Sequence, residues 1–357
     1  MLKDTEGNWL IEEVEIKDYI RNSYKKLYMT ELNVSSMTSD VSEFSCCFLE
    51  EEDRARIDGG VTEEEIRAGL WAFKPFKAPG PDGLHAGFYQ CFWLVVKNSI
   101  CNEVKGIFDK GYVLSYLNET LISLIPKCQN LEALSNYRPI SLCNSVYKIV
   151  TKILVARIRI LLNKLISLVQ TAFVPGKRGI NNVLIAQELF HALDKKKGKM
   201  GFMAVKLDLE KAYDRLEWSF IYRMLQAFHF PLKITKIIMS CITSVNTSIL
   251  VNGGALERFE PSRGIRQGDP LSPYIFILCM EYLGHLIEQK CVNGDWVPLK
   301  ASKDNLGFSH LLFADDIILF SKADERGCEA ILDVLGKFCR EFGQKISLDK
   351  SRILFFS

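Results

Sequence analysis

The stretch that decides the fold is His310-Leu311-Leu312-Phe313-Ala314-Asp315-Asp316-Ile317-Ile318-Leu319-Phe320. Two apolar runs of strand length flank a pair of adjacent acids, a pattern that predicts a β-hairpin with Asp315 and Asp316 at its turn. Asp is a common turn residue, so the pair is also typical of an ordinary hairpin tip. The alternative interpretation is that a rigid turn presents two carboxylates, which are ligands that Mg²⁺ takes together with substrate phosphates. That interpretation requires a third acid elsewhere in the chain.

The composition is that of a globular protein with an uneven distribution of charge. The 357 residues are 48% hydrophobic and 25% charged, and a chain of this length has room for two or three subdomains. The formal net charge is +2, but residues 1–65 carry 7 Lys and Arg against 17 Asp and Glu. The remainder is therefore basic, which is compatible with a polyanionic partner without establishing one.

The pattern of cysteines and the lack of long apolar runs indicate in which cellular compartment the protein is found. The chain contains 11 Cys with no C-x-x-C pair, a usage that indicates reduced thiols rather than a disulfide framework or a zinc finger. The N-terminus has no apolar signal region, and no apolar run approaches the length that spans a membrane. We therefore expect an intracellular protein of the nucleus or the cytoplasm, without membrane contact.

Local patterns predict the elements around the hairpin. A capping box at 62–65 predicts the start of a helix, and residues 203–209 predict a central strand because both of its faces are apolar. Residues 237–251 are predicted to be mostly strand, ending at a hairpin turn at 252–254. A helix is predicted at about 325–342.

The third acid is Asp208, near the C-terminal end of the strand predicted at 203–209. If that strand and the hairpin are neighbours in one sheet, Asp208, Asp315 and Asp316 converge. Three carboxylates can hold two Mg²⁺ ions about 3.5–4 Å apart, which activate an attacking oxygen and stabilise a leaving one. The spacing therefore favours phosphoryl or nucleotidyl transfer, against the alternative of three unrelated surface acids.

Three basic loops are candidates for phosphate binding. Arg138, Arg178 and Arg266 each lie in a polar segment rich in Gly, Pro or Ser. Guanidinium groups bind phosphates through two parallel hydrogen bonds, so these loops are predicted to bind a triphosphate or the phosphates of a template.

Several motifs, in a fixed order, resemble the reverse transcriptases of LINE-type non-LTR retrotransposons. They are Lys77-Ala78-Pro79-Gly80-Pro81-Asp82-Gly83, Tyr137-Arg138-Pro139-Ile140-Ser141-Leu142, Phe173-Val174-Pro175-Gly176, Lys206-Leu207-Asp208-Leu209-Glu210-Lys211-Ala212-Tyr213-Asp214, Arg263-Gly264-Ile265-Arg266-Gln267-Gly268-Asp269-Pro270-Leu271-Ser272-Pro273, Phe313-Ala314-Asp315-Asp316, Gly343-Gln344-Lys345 and Lys350-Ser351. The Phe-Ala-Asp-Asp form is similar to that class and to group II intron enzymes, whereas retroviral enzymes usually have Tyr first. The resemblance begins near residue 62 and is specific because several motifs occur together.

The resemblance implies an α+β fold of the right-hand polymerase type, with fingers and palm, an antiparallel palm sheet backed by helices, and no thumb in this chain. It divides the chain into an acidic, partly helical spacer (1–61), a fingers region (62–200) and a palm region (201–357) truncated before the thumb. It implies an RNA-directed DNA polymerase that uses an RNA template, a DNA primer and dNTPs. Two Mg²⁺ ions, or Mn²⁺, would serve nucleotidyl transfer to the primer 3′-hydroxyl. The oligomeric state is left open.

The resemblance also assigns metal binding to particular residues. It places catalysis and metal binding on Asp208 and Asp315, with the main-chain carbonyl of Leu209 as a further ligand and Asp316 in support. Lys350 is a candidate for assisting the leaving pyrophosphate, and the alternative for Lys350 is a salt-bridged or solvated lysine.

Substrate contacts are assigned in the same way. The resemblance places Tyr213 beneath the incoming sugar and Gln267 and Gly268 against the nucleotide. It makes Arg138 and Arg178 candidate contacts of the fingers to the triphosphate or the template.

Two other interpretations stay open. The first is a catalytically silent retroelement fragment or nucleic-acid-binding relic, which the expected absence of a thumb favours and the intact acids disfavour. The second is a group II intron maturase, which would require an RNA-splicing domain after the palm.

Overall fold

The computed structural model describes residues 1–32, 47–195, 201–300 and 307–356. The helices are α1 (Glu13–Leu27), α2 (Glu51–Asp58), α3 (Glu63–Trp71), α4 (Ala86–Cys91), α5 (Trp93–Lys110), α6 (Ser145–Arg159), α7 (Leu162–Leu165), α8 (Gly179–Lys195), α9 (Ala212–Arg215), α10 (Trp218–Ala227), α11 (Leu232–Thr243), α12 (Ser272–Val292) and α13 (Glu325–Phe342). The strands are β1 (Leu2–Lys3), β2 (Trp9–Leu10), β3 (Glu119–Pro126), β4 (Tyr137–Cys143), β5 (Phe202–Leu207), β6 (Asn246–Val251), β7 (Gly254–Ala255), β8 (Leu299–Lys300), β9 (Gly307–Phe308), β10 (His310–Phe313), β11 (Asp316–Lys322) and β12 (Arg352–Phe356). Helix and sheet are thus mixed, as the α+β class requires.

One four-stranded sheet carries the predicted hairpin. Its strand order is β10–β11–β5–β12, and every neighbouring pair is antiparallel. Phe313 pairs with Asp316 across the hairpin, and Ala314 adopts a left-handed conformation (φ 54°) in the turn. The predictions of a hairpin with acids at its turn and of a strand at 203–209 are confirmed.

Both faces of strand β5 are covered by helices. Met203, Val205 and Leu207 of β5 belong to the main apolar core, which also contains residues of α10 to α13. The intervening Ala204 belongs to a second apolar cluster with residues of α8. Successive side chains of a strand point to opposite faces, so the doubly apolar pattern of β5 follows from its burial between two helical layers. This packing fixes the end of the strand at which Asp208 lies.

A second sheet joins distant parts of the chain. Its order is β4–β3–β6–β7, and β3 pairs antiparallel with β4 but parallel with β6. The β6–β7 hairpin turns through Asn252 and Gly253, which both have positive φ (50° and 79°). Two such residues are the signature of a tight hairpin turn, and the predicted turn is confirmed.

The prediction that residues 237–251 are mostly strand is wrong, because helix α11 continues to Thr243 and strand β6 begins at Asn246. The buried residues of α11 are spaced three and four apart: Ile234, Ile237, Ile238, Cys241 and Ile242. That spacing is the period of a helix. Isoleucine is common in strands, but this preference comes mainly from side-chain packing within sheets. The helical spacing of the buried residues is therefore the stronger signal here.

The N-terminal ends of α3 and α13 have capping residues, and the long helix α12 is the central helix of the fold. The Thr62 hydroxyl accepts a hydrogen bond from the Glu65 amide at 3.2 Å, and the Glu65 carboxylate accepts one from the Thr62 amide at 3.1 Å. This capping box is confirmed, and so is α13, with Asp324 as its N-cap. Helix α12 is buried along most of its length, as expected of a helix that is apolar all round.

Within the described part of the chain, no helix combines the length and apolarity needed to cross a bilayer.

Candidate active site

The carboxylates meet where β5 ends and β11 begins. Leu207 pairs with Ile317, and the continuation of this antiparallel register brings Asp208 opposite Asp316. Asp208 and Asp315 line one cleft of about 780 Å³. Asp316 lines a neighbouring recess, formed mainly by the hairpin and α8. The structure therefore brings Asp208 and Asp315 into one cleft and leaves Asp316 beside it.

The electrostatics of these acids favour a bound cation. Burial raises the pKa of the Asp315 carboxyl, and the negative charges of Asp316 and Asp208 add to the rise. The ammonium of Lys350 lies 3.8 Å from a carboxylate oxygen of Asp208, and its side chain is 71% exposed. A mobile, solvated lysine offsets little of this repulsion, so a cation between the carboxylates would be stabilised.

The donor set fits a hard divalent cation that is bound together with its substrate. Mg²⁺ commonly uses one or two carboxylates, and waters and substrate phosphates complete its octahedron. Asp208 and Asp315 supply two carboxylates in one cleft. Among the described residues, no group of three or more His, Cys, Asp or Glu forms a ready-made metal cage. These residues can therefore form an open site, which a phosphorylated ligand would complete.

The segment after α13 fixes the backbone on which Asp208 is carried. The amide of Ser347 donates to the carbonyl of Asp208 at 2.9 Å, and the amide of Glu210 donates to the carbonyl of Lys345 at 2.8 Å. The amide of Asp208 donates to the hydroxyl of Ser351 at 3.2 Å. Leu209, whose carbonyl was assigned to metal binding, is buried and lines the cleft between these contacts. The motifs at 343–345 and 350–351 marked this segment in the sequence, but sequence reasoning missed that its backbone and Ser351 hold Asp208.

Tyr213 forms an aromatic platform in the cleft. Its ring stacks on Phe276 of the central helix, with centroids 4.7 Å apart and an interplanar angle of 11°. Burial raises the pKa of Tyr213, and the charge of Asp315 adds to the rise. Tyr213 also lines the cleft. It therefore both packs the core and faces the acids.

Gln267 and Gly268 form the opposite side of the cleft, against β4. The carbonyl of Gln267 accepts a hydrogen bond from the amide of Ser141 at 2.7 Å, and its carboxamide donates to both carboxylate oxygens of Asp214, at 3.1 and 3.2 Å. Gly268 has φ 109°, and a Cβ there would lie 2.9 Å from the carbonyl oxygen of Ser141. Only glycine fits this position.

The three arginines of the basic loops are found in different surroundings. Arg138 is exposed on β4 and lines the cleft, whereas Arg178 is exposed just before α8 and is not part of the cleft lining. The prediction that Arg266 binds phosphate is wrong. Its guanidinium turns inward and donates to Asn118 (2.7 Å) and Asp269 (3.0 Å), among other internal acceptors, so it holds the loop rather than a ligand.

A basic wall, which we define as Lys127, Arg138, Lys211 and Lys350, lines the same cleft as the acids. Burial lowers the pKa of Lys127, and the positive charges of Lys350 and Arg138 lower it further, so these cations lie close enough to repel one another. Lys127 follows the end of β3, which pairs with β4, and no motif marked it in the sequence. The carboxylates of Asp208 and Asp315 therefore lie in the same cleft as the basic wall. This combination is suited to binding a polyphosphate together with divalent cations.

The antiparallel hairpin presents acids to a cleft that also has a basic wall, an arrangement suited to phosphorylated ligands. The chain matches the family model described as "Reverse transcriptase (RNA-dependent DNA polymerase)" over residues 125–355. With that match covering most of its length, the chain belongs to the reverse transcriptase family.

Three relatives that cover most of the chain are named as proteins of transposable elements. The chain is 27% identical over 317 residues to the transposon TX1 uncharacterized 149 kDa protein of Xenopus laevis, covering 89% of this chain and 24% of that protein. It is 26% identical over 340 residues to the Pol polyprotein of the type-2 retrotransposable element R2DM of Drosophila melanogaster, covering 95% and 30%. It is 27% identical over 298 residues to the R2 Pol polyprotein of Popillia japonica, covering 82% and 39%. The chain thus spans well under half the length of these relatives, and the resemblance to non-LTR retroelement proteins is confirmed.

Proposed function

We propose that this chain carries the RNA-directed DNA polymerase site of a non-LTR retroelement. It would transfer a deoxynucleotidyl group from a dNTP to the 3′-hydroxyl of a DNA primer paired with an RNA template. The observation that carries the proposal is the register of β5 against β11, in which Asp208 and Asp315 line one cleft beside the basic wall. Family membership supports the reaction class.

The acids of the cleft would hold the metal ions. Asp208 and Asp315 are the proposed ligands, with the carbonyl of Leu209 as a further donor and Asp316 in support. Two Mg²⁺ ions, or Mn²⁺, when bound there would supply charge neutralisation and activation of the attacking oxygen. The protein's own contribution is to hold the Asp208 backbone in a fixed position, which its main-chain hydrogen bonds to Ser347 and Ser351 support.

The basic wall would bind the triphosphate. Lys127, Arg138 and Lys350 carry positive charge beside the acids, and Lys350, the one within 3.8 Å of Asp208, is suited to the leaving pyrophosphate. Arg178, exposed outside the cleft, is suited to the template backbone instead. Phosphate contacts of this kind make nucleic-acid binding sensitive to salt.

The nucleoside would lie between Tyr213 and the loop of Gln267 and Gly268. The stack on Phe276 holds the Tyr213 ring in place, so the ring would support a deoxyribose and collide with a ribose 2′-hydroxyl. The glycine at 268 lets the loop pack against the Ser141 carbonyl of β4, which would set the position of the backbone beside the nucleotide.

The regional division is part of the proposal. We assign 1–61 to a spacer, 62–200 to the fingers and 201–357 to the palm. The antiparallel sheet β10–β11–β5–β12 lies within the palm region and supports that assignment. The second sheet draws β3 and β4 from the fingers region and β6 and β7 from the palm region.

Substitution of the acids tests the proposal. Asp208→Asn and Asp315→Asn each remove a negative ligand of similar size, so we expect primer extension on an RNA template to be abolished and the melting temperature to change little. Asp109→Asn, at an exposed position of α5, is the matched control and should extend primers like the wild type. Normal extension by either cleft variant, or an inactive wild type that is folded, would contradict the proposal.

A further inference from the structure

The end of α1 is fastened to the loop that carries Gln267. The carbonyl of Tyr28 accepts hydrogen bonds from the amides of Ser262 (2.8 Å) and Arg263 (3.1 Å). The Arg263 guanidinium donates to the carbonyl of Leu27 at 2.9 Å, and the amide of Thr30 donates to the Ser262 hydroxyl at 2.7 Å. A segment far away in sequence therefore fixes where this loop begins.

A charged clamp strengthens the same junction. The carboxylate of Glu31 lies 3.3 Å from the guanidinium of Arg215 and 3.1 Å from that of Arg263. The ammonium of Lys345 lies 3.4 Å from it. Arg215 and Arg263 are almost fully buried, so this carboxylate compensates charges that would be costly to leave unpaired.

One buried carboxylate connects α1 to the cleft. Asp214 is 1% exposed and accepts a hydrogen bond from the Tyr28 hydroxyl at 3.0 Å. It also accepts the two hydrogen bonds from the Gln267 carboxamide. In the part of the chain that the structure describes, Tyr28 and Gln267 are the hydrogen-bonding partners of this side chain.

The hydrogen bonds and the charge of Asp214 explain how Tyr28 could affect Gln267. Both partners donate to Asp214, whose carboxylate form can accept on both of its oxygens. Burial raises the pKa of Asp214 to about 6, against the opposing positive charges of Lys211 and Lys127, so the side chain is mainly a carboxylate at neutral and higher pH. The Tyr28 hydroxyl and the Gln267 carboxamide both donate to Oδ1 of Asp214, so the position of this carboxylate is set jointly by α1's end and by the Gln267 loop.

We infer that Tyr28 is a positioning residue of the nucleotide subsite, because its hydroxyl orients Asp214 and Asp214 orients Gln267. The inference rests on the proposed function in taking Gln267 to face the nucleotide. Tyr28 follows the last residue of α1 and precedes the matched family region. Its hydroxyl acts on the substrate only through the buried carboxylate. Loss of the hydroxyl frees the carboxylate to rotate and lets the carboxamide leave its orientation.

Tyr28→Phe isolates this effect. The ring of Tyr28 stacks between Tyr24 (centroids 6.4 Å apart) and Phe259 (6.3 Å), and phenylalanine keeps both contacts. The matched control is Tyr24→Phe, which removes a hydroxyl from the same helix, one turn earlier, and leaves Asp214 with both of its partners. Comparable melting temperatures of the two variants establish that the fold is retained.

The kinetic test separates positioning from packing. In single-nucleotide primer extension, Tyr28→Phe should raise KM for the dNTP about tenfold, equivalent to about 1.4 kcal/mol of binding, with kcat within about twofold of the wild type. Tyr24→Phe should keep both constants. An unchanged KM in folded, active Tyr28→Phe would overturn the inference, and so would a loss confined to kcat.

A second measurement does not depend on activity. In protein labelled with ¹⁵N at glutamine side chains, the Gln267 carboxamide resonance is the one that disappears in Gln267→Glu. We expect this resonance to shift in Tyr28→Phe and to stay in place in Tyr24→Phe. An unmoved resonance in Tyr28→Phe overturns the inference whatever the activity, whereas a folded wild type that extends no primer contradicts only the proposed function.

Discussion

The carboxylates of this chain differ in how each one can be neutralised. Asp315 lies at the mouth of an open cleft, where a cation from solvent can reach it. Glu281, on the central helix α12, is 8% exposed and accepts hydrogen bonds from the amide (3.0 Å) and hydroxyl (3.2 Å) of Ser167. An enclosed carboxylate has no access to a metal, so it is neutralised by taking up a proton.

Glu281 should therefore make stability depend on pH. Burial raises its pKa to about 7, against the effects of Ser167 and the charge of Lys177 and with a small addition from Glu288. A raised pKa means that the folded state holds the proton more tightly, so the contribution to stability is complete below about pH 4.5 and is lost as the pH rises through 7. At pH 8, Glu281→Gln should be more stable than the wild type by at most about 3 kcal/mol and should therefore unfold at a higher temperature. The difference should disappear below about pH 4.

Thermal melts between pH 4 and 8 measure this difference. Glutamine keeps an acceptor for the Ser167 amide and gains a donor for its hydroxyl, so the geometry is preserved. The control is Glu329→Gln, at an exposed position of α13, which should follow the wild-type curve. If the melting temperatures of Glu281→Gln and the wild type changed with pH in the same way, ionisation of the Glu281 carboxyl would have little effect on stability, and the prediction would be wrong.

At the scale of elements, the acidic hairpin depends on a brace outside its own sheet. The amide of Leu312 donates to the carbonyl of Val169 at 3.0 Å, and the amide of Thr171 donates to the carbonyl of Leu312 at 3.2 Å. The side chain of Gln170 accepts hydrogen bonds from the amide of Ala314 at 3.1 Å and from that of Ala172 at 3.0 Å. The strained turn that carries Asp315 is thus held by the loop before α8.

Gln170→Ala tests the brace. The substitution leaves the amide of Ala314 buried without its acceptor, which costs about 1–3 kcal/mol, and releases the turn next to Asp315. We expect kcat for primer extension to fall about tenfold, equivalent to about 1.4 kcal/mol in the barrier, with a smaller change in KM for the dNTP. Gln187→Ala, an exposed glutamine on α8, is the control. Unaltered kcat in a destabilised Gln170→Ala would limit Gln170 to a structural role.

The sequence predicted what its local patterns encode. The hairpin, β5 and α13 were predicted because alternation, a doubly apolar run and helical spacing each lie within one segment. Helix α11 was missed, since isoleucine suggested a strand while the spacing of its buried residues indicated a helix. Pairing between distant segments is not local, so the parallel contact of β3 with β6 had no signal.

The same limit applies to the candidate site. The residue types at 208, 315 and 316 pointed to metal chemistry, and the register of β5 with β11 was needed to bring 208 and 315 into one cleft. The inward turn of Arg266 depends on buried acceptors from other elements. Lys127 has no motif, and its position in the cleft follows from the pairing of β3 with β4.

At the scale of the whole molecule, the three proposed regions share one packing unit. An apolar cluster joins Ile20, Tyr24 and Tyr28 of the N-terminal segment to Ile122 of β3 and Ile249 of β6. These strands come from the proposed fingers and palm, respectively. Residues 1–32, although assigned by resemblance to a spacer, therefore pack between the two regions, and their burial should contribute to the stability of both.

Truncation of one ring in that cluster distinguishes a packed segment from a loosely attached one. Tyr24 is 1% exposed, and removal of a buried aromatic side chain costs about 3–5 kcal/mol, so Tyr24→Ala should lower the urea midpoint of the main unfolding transition. Val14→Ala, on the same helix but 71% exposed, should change it by less than about 0.5 kcal/mol. If α1 unfolded separately, Tyr24→Ala would leave the main transition in place and reveal an earlier, smaller one. We expect a single unfolding transition with a lower urea midpoint. Because Tyr24 packs in one cluster with residues of β3 and β6, loss of its ring should destabilise all of these elements together.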